Sequence, residues 1–115
     1  MKTAKLYFPV PPSVNAAYFN IPGRGRGKTK KYKSWLRDAD ILLMTQKPWP
    51  TFRGRLSLCI TIPAKTRGDA SNRIKILEDF LVSRGITGDD CNNWDVRCRK
   101  HGTECYVEIA SDPSL

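Results

Sequence analysis

The stretch from Gly54 to Pro63 leaves little freedom about the fold. Leu56, Leu58, Ile60 and Ile62 alternate with Arg55, Ser57, Cys59 and Thr61, the period-two pattern of a strand with one apolar and one mixed face. Such a strand needs a second layer on its apolar side, and the chain supplies one a few residues later. At 100° per residue from Asn72, Ile74, Leu77 and Leu81 fall at about 200°, 140° and 180°, while Asn72, Lys75 and Asp79 lie within about 60° of one another. This predicts a helix over 70–84, stopped by Gly85, with an apolar face for the strand and a polar column away from it.

The remaining elements follow from punctuation and period. Thr3 to Phe8 reads as a short strand, ended by Pro9, Pro11 and Pro12, which cannot donate to a ladder. Asn20 to Lys33 reads as a loop dominated by Gly23-Arg24-Gly25-Arg26-Gly27-Lys28-Thr29-Lys30-Lys31-Tyr32-Lys33. A helix is expected from about 31 to 46, with Trp35, Ala39, Leu42 and Leu43 at core spacing and Pro48 and Pro50 beyond it. Asn93 to Ser111 reads as a β-hairpin turning at His101-Gly102. That register sets Cys98 opposite Cys105, Val96 opposite Val107 and Trp94 opposite Ile109, with Arg99 facing Glu104 and Asp95 facing Glu108, a like-charge pair. The order β-α-β-α-β-β specifies an α+β fold with two main helices on a mixed sheet. At 115 residues the expectation is one domain over 1–115, a size at which roughly two thirds of the surface is hidden on folding.

The four cysteines, Cys59, Cys91, Cys98 and Cys105, contain no C-x-x-C pair, which argues against a ribbon or finger zinc site. Cys98, His101 and Cys105 with Cys91 form a looser set that would suit a structural zinc. As small residues of β segments they read more simply as core residues in a reducing compartment.

Charge narrows the choice of partner. Twenty Lys and Arg stand against 11 Asp and Glu, a formal charge of +9, and that field attracts polyanions, nucleic acid first. No apolar run approaches the ~20 residues needed to cross a bilayer, and the start Met1-Lys2-Thr3-Ala4-Lys5-Leu6-Tyr7-Phe8-Pro9 lacks the apolar core of a signal peptide. The expected location is the cytoplasm, with no membrane partner.

Against this basic background the acids gather. Asp69 and Asp79 bracket Lys75, and Gly88-Asp89-Asp90 follows; carboxylates with a lysine among them suit a site where a divalent cation meets phosphate. Each residue also has a plainer reading. Asp69 and Ser71 fit helix capping, Lys75 and Asp79 at i and i+4 fit a surface ion pair, and Gly88-Asp89-Asp90 fits a polar turn.

The sequence resembles the RusA-like endodeoxyribonucleases that resolve Holliday junctions. Pro11-Pro12-Ser13-Val14-Asn15 is similar to the family's P-P-S-x-N segment, and the Gly-Arg stretch to its basic loop, here about 20–33. Asp69-Ala70-Ser71-Asn72-Arg73-Ile74-Lys75 is similar to its D-x-D-N-x-x-K signature, with Asp79 at the next acid and Asp89-Asp90 at its D-D pair. The resemblance covers most of the chain. It implies a small homodimer that binds four-way DNA junctions and nicks them in pairs with Mg²⁺, for which Mn²⁺ would substitute. It implies that Asp69 and Asp90 ligate the metal, with Asp89 completing the shell, and that Lys75 is catalytic. Ser71, Asn72 and Asp79 would stand behind them. Resolvases of this type are often phage-borne, so a bacterial or phage source is implied. Ser71 departs from the signature, because a hydroxyl replaces the second acid and removes one negative charge from the cation site.

DNA affinity would come from Asn15, Arg24, Arg26, Lys28, Lys30, Lys31 and Lys33, with Arg67 and Arg73 flanking the acids to guide the scissile strand. A base-stacking role is open to Tyr18, Phe19 and Tyr32, as is helix packing. Two other classes of function share these features: a junction-binding protein that does not cut, and a basic RNA- or ribosome-associated module without chemistry.

Overall fold

The computed structural model describes residues 2–111 and, within them, every side chain but that of Asp90. The elements run β1 (Thr3–Tyr7), α1 (Val14–Ala17), β2 (Tyr18–Ile21), β3 (Gly25–Lys28), α2 (Lys30–Met44), β4 (Leu56–Ile62), α3 (Ile74–Ser83), β5 (Asn93–Lys100) and β6 (Tyr106–Ser111). Short 3-10 turns at Ala70–Arg73 and Asp90–Asn92 lead into α3 and β5. The α+β reading holds.

β4 is the axis of a four-stranded sheet ordered β1-β6-β4-β5, antiparallel to β6 and parallel to β5. A parallel neighbour requires a crossover, and α3 supplies it. The expected hairpin between β5 and β6 does not form, since β4 lies between them. His101-Gly102 is no tight turn; the segment passes over the end of β4, where the His101 N–H donates to the Ile62 carbonyl at 2.9 Å and the Ala64 N–H to the Gly102 carbonyl at 3.0 Å. The physical reason lies in β4 itself, whose Leu56, Leu58, Ile60 and Ile62 are buried together with Thr61. A strand covered this fully is most stable with a partner on each edge. The arrangement also removes the like-charge pair: Asp95 lies beside Ser57 and bonds Arg97 at 3.3 Å, while Glu108 lies between Cys59 and Lys5.

The apolar face of the sheet carries α2 and α3. Trp35, Ala39 and Leu43 of α2 and Leu77 and Leu81 of α3 are buried as their spacing predicts, with Leu42 and Ile74 at the margin. Ile76 and Phe80 are buried too, which widens the apolar stripe of α3 to half its circumference. The Phe80 ring joins the two helices, 5.3 Å from Trp35 and 5.5 Å from Phe8 between centroids. Thr29 caps α2, its hydroxyl oxygen accepting from the Tyr32 N–H at 3.3 Å. No helix among the described residues is long and apolar enough to cross a membrane.

The basic loop is also ordered differently from expectation. It is a two-stranded hairpin, β2 against β3, closed by Ile21-Pro22-Gly23-Arg24, in which the Arg24 N–H donates to the Ile21 carbonyl at 3.0 Å and Gly23 has φ +72°. Proline followed by a glycine of positive φ is the signature of a type II turn. The cysteines divide. Cys105 is buried and its thiol is pushed up to about 12 by desolvation, and Cys98 packs beside the core, but Cys59 lies on the opposite face of the sheet and Cys91 is exposed.

Candidate functional site

The candidate site is built on the solvent side of α3. Burial of Ile76, Leu77, Phe80 and Leu81 fixes the roll of the helix, so Lys75 and Asp79 must point outward. They form an ion pair at 3.1 Å, with 55 and 39% of their side-chain surfaces exposed. An exposed pair of this kind adds at most a few tenths of a kcal/mol, so its stabilising role is small and the ammonium stays accessible. Ser71 and Asn72, in the 3-10 turn before α3, are exposed as well.

Asp69 stands at the start of that turn in extended conformation, φ −76° and ψ 131°, and its carboxylate makes no capping hydrogen bond. Capping therefore does not explain it. Its position is set by its neighbours. Gly68, at φ +81°, turns its carbonyl to Lys100 Nζ at 2.6 Å. Arg73 braces the other side, donating to the Arg67 carbonyl at 3.2 Å and to the Pro11 carbonyl. The proline segment and the acidic motif, sixty residues apart in sequence, are thus one structural unit. Arg67 is exposed, whereas Arg73 is half-buried in this brace.

The second acidic segment leads into β5. The Asp89 carboxylate accepts from the Cys91 N–H at 3.3 Å, and the Asp89 carbonyl from the Asn92 N–H at 3.0 Å. Asp89 is exposed and retains a free carboxylate edge; the side chain of Asp90 lies outside the described residues. Asn93 donates to Glu78 Oε2 at 2.6 Å, fastening the start of β5 to the middle of α3. Nothing in the sequence singled out Glu78, because a carboxylate that holds an amide has no spacing signature. Among the described residues no three Asp, Glu, His or Cys side chains gather as a group able to hold an ion. The donors themselves suit a hard cation, since Asp69 and Asp89 offer carboxylate oxygens not consumed by internal pairing, and Ser71 adds a neutral hydroxyl.

The basic hairpin reaches the same side of the molecule. Tyr18 of β2 meets Tyr32 of α2 edge-on at 5.4 Å, Arg26 stacks on Tyr18 at 4.6 Å, and Lys28 lies over Tyr32 at 5.8 Å. A groove of about 230 Å³ is lined by Tyr18, Lys28, Tyr32, Asp79, Ser83 and Arg84, bringing the hairpin up to the polar face of α3. Burial and then the Tyr18 hydroxyl push the Tyr32 phenol well above its ordinary value. At the groove's end Arg84 grips Asp40 through two bonds, 2.5 and 2.7 Å, and these hold the Asp40 carboxyl below its usual range. Arg24, Arg26, Lys28, Lys30, Lys31 and Lys33 are all exposed, and Asn15 is exposed on α1. Thr29 ties α1 to α2, its hydroxyl donating to the Ala16 carbonyl at 2.8 Å.

Residues 8–110 match the family model of endodeoxyribonuclease RusA. No curated protein matches the sequence.

Proposed function

The chain belongs to the RusA endodeoxyribonuclease family, and on that footing we propose that it resolves four-way DNA junctions by paired, Mg²⁺-dependent phosphodiester hydrolysis as a homodimer. One observation carries the reading most directly: α3 presents the Lys75–Asp79 pair to solvent, with the cationic hairpin adjoining Asp79, and the turn that leads into α3 carries an Asp69 carboxylate not used in capping.

The phosphodiester is anionic and repels a nucleophile, so its hydrolysis needs positive charge at the phosphoryl oxygens and an activated water. Asp69, Asp89 and Asp90 are the residues to hold the cation, which when bound polarises the phosphoryl oxygen and lowers the pKa of a bound water. Lys75 contributes a fixed ammonium, which stabilises the negative charge that grows on the non-bridging oxygens as water adds and a P–O bond breaks. Asp79 aims Lys75 by holding it one helical turn back. Asn72 would donate from its amide to a ligand carboxylate or a phosphate oxygen.

Paired cuts need two equivalent sites, and a four-way junction offers two-fold symmetry. A homodimer carrying one acidic set per chain meets that requirement. Arg24, Arg26, Lys28, Lys30, Lys31 and Lys33 would supply most of the salt-dependent affinity.

Ser71 favours a second reading. With a neutral group where the family signature has an acid, the site is one charge short for a divalent ion, and the protein would then bind junctions without cutting them. A labelled junction incubated with the protein and Mg²⁺ or Mn²⁺ decides: symmetric nicks lost in Asp90→Asn support the nuclease, and tight binding with no nick in either metal supports the binder. An RNA-associated module would show no preference for the junction and no response to metal.

A further inference from the structure

Phe19 is the largest apolar side chain on the basic hairpin, and the described structure gives it no place in the core. Successive residues of β2 point to opposite sides. Tyr18 and Asn20 share a face with Arg26 and Lys28, and that face turns toward Tyr32. Phe19 takes the other face and is half exposed. Its ring lies close over the backbone partner across the hairpin, Gly27: a Cβ at that position would stand 2.7 Å from Phe19 Cζ and 2.9 Å from Cε1.

Two features of this hairpin therefore work against its stability as a free element. A glycine in a strand centre costs β propensity, and an exposed phenyl in a highly charged protein returns little of its burial energy. Together they lay one flat aromatic ring on a ribbon that carries Arg24, Arg26 and Lys28. Aromatic platforms flanked by cations are how proteins hold unpaired bases, because every base has a π face and the strand beside it is anionic.

We propose that Phe19 is a stacking platform for a nucleobase at the branch point of the bound DNA. The inference rests on the junction-binding reading above and adds to it the residue that distinguishes branched from linear duplex. Bases at the crossover lose a stacking neighbour, whereas those of an intact duplex do not. Phosphate contacts by the hairpin cations hold both forms; Phe19 favours the one with an unstacked base.

The test compares wild type with Phe19→Leu and Phe19→Trp, without divalent metal so that no strand is cut. Leucine keeps an apolar cover over Gly27, and tryptophan keeps a flat ring. Affinity is measured for a four-way junction and a linear duplex of equal length, and 2-aminopurine at the crossover reports stacking by its quenching. The expected result is a loss of about ten-fold or more in junction affinity for Phe19→Leu, with duplex affinity unchanged, less quenching, and both restored in Phe19→Trp. A junction-selective wild type matched by an equally selective Phe19→Leu would overturn the platform and leave the resolvase reading standing, as would equal losses on junction and duplex. A wild type with no junction preference would overturn both.

Discussion

At the scale of single residues, the ion pair between Lys75 and Asp79 contributes little to the fold, and this makes its chemistry separable from stability. Lys75→Ala is expected to lower the nicking rate by about a hundred-fold or more, the usual cost of losing a charge aimed at the transition state. Losing the exposed pair with Asp79 should itself cost the fold only a few tenths of a kcal/mol. Ser71→Asp restores the missing charge of the acidic motif. It should raise the rate at limiting Mg²⁺ and shift the metal titration to lower concentration; a variant no faster than wild type would mean that Ser71 does not face the cation. The outward-facing Lys75–Asp79 pair was legible from helical period alone, whereas Asn72, placed on the same helix face by that period, stands in the 3-10 turn before it. The freedom of the Asp69 carboxylate was not, since capping residues and metal ligands share the same residue types. The brace between Arg73 and Pro11 had no signal either, because it joins a guanidinium to backbone carbonyls brought together only by the fold.

Elements differ in how much of their structure is local. β4 and the two long helices were readable because alternation and 3.6-residue period depend on which face is buried, and both faces here are unambiguous. Pairing was not readable. β5 and β6 have the length and turn residues of a hairpin, yet each pairs with β4, and the choice between partners is made by burial of Thr61 and the β4 leucines and isoleucines. The β2–β3 hairpin escaped because Gly-Arg-Gly-Lys has almost no strand propensity; the Pro-Gly turn and the packing of Tyr18 on Tyr32 supply what the sequence lacks. This element and the start of α2 carry more cations than the structure uses, since only Arg26 and Lys28 of the hairpin stack on aromatic rings. α2 has no acid in its first turn and carries Lys30 and Lys31 there, opposite to what the helix dipole favours. Binding of a polyanion would account for that arrangement. Replacing Arg24, Arg26 and Lys28 together by Gln should weaken binding to junction and duplex alike and flatten the slope of log affinity against log salt by about 2–3. An unchanged slope would place the DNA elsewhere.

For the whole molecule, the layer contact between α2 and α3 is the joint that keeps the hairpin beside the acidic face. Phe80 fills its centre, and Phe80→Ala should cost about 3–5 kcal/mol in chemical denaturation. Arg84 and Asp40 close its outer end. The Asp40 carboxyl is held below its unfolded pKa by the Arg84 hydrogen bonds, so the stability it provides is present above the unfolded value and lost as pH falls through the folded one. The melting temperature should drop on acidification below about pH 4, and Arg84→Gln should lose part of that dependence. The α+β class and the order of the main elements followed from the sequence, while the central position of β4 and the approach of the hairpin to α3 are properties of the assembled chain.

Strand-cleavage mapping on a labelled four-way junction and a matched linear duplex, with and without Mg²⁺, beside Asp90→Asn, separates a metal-dependent nuclease selective for branched DNA from every other reading of this chain. A junction-selective nuclease leaves symmetric nicks in the junction alone, dependent on the metal and absent in the variant. Junction binding without nicks in Mg²⁺ or Mn²⁺, or equal nicking of the duplex, would contradict it.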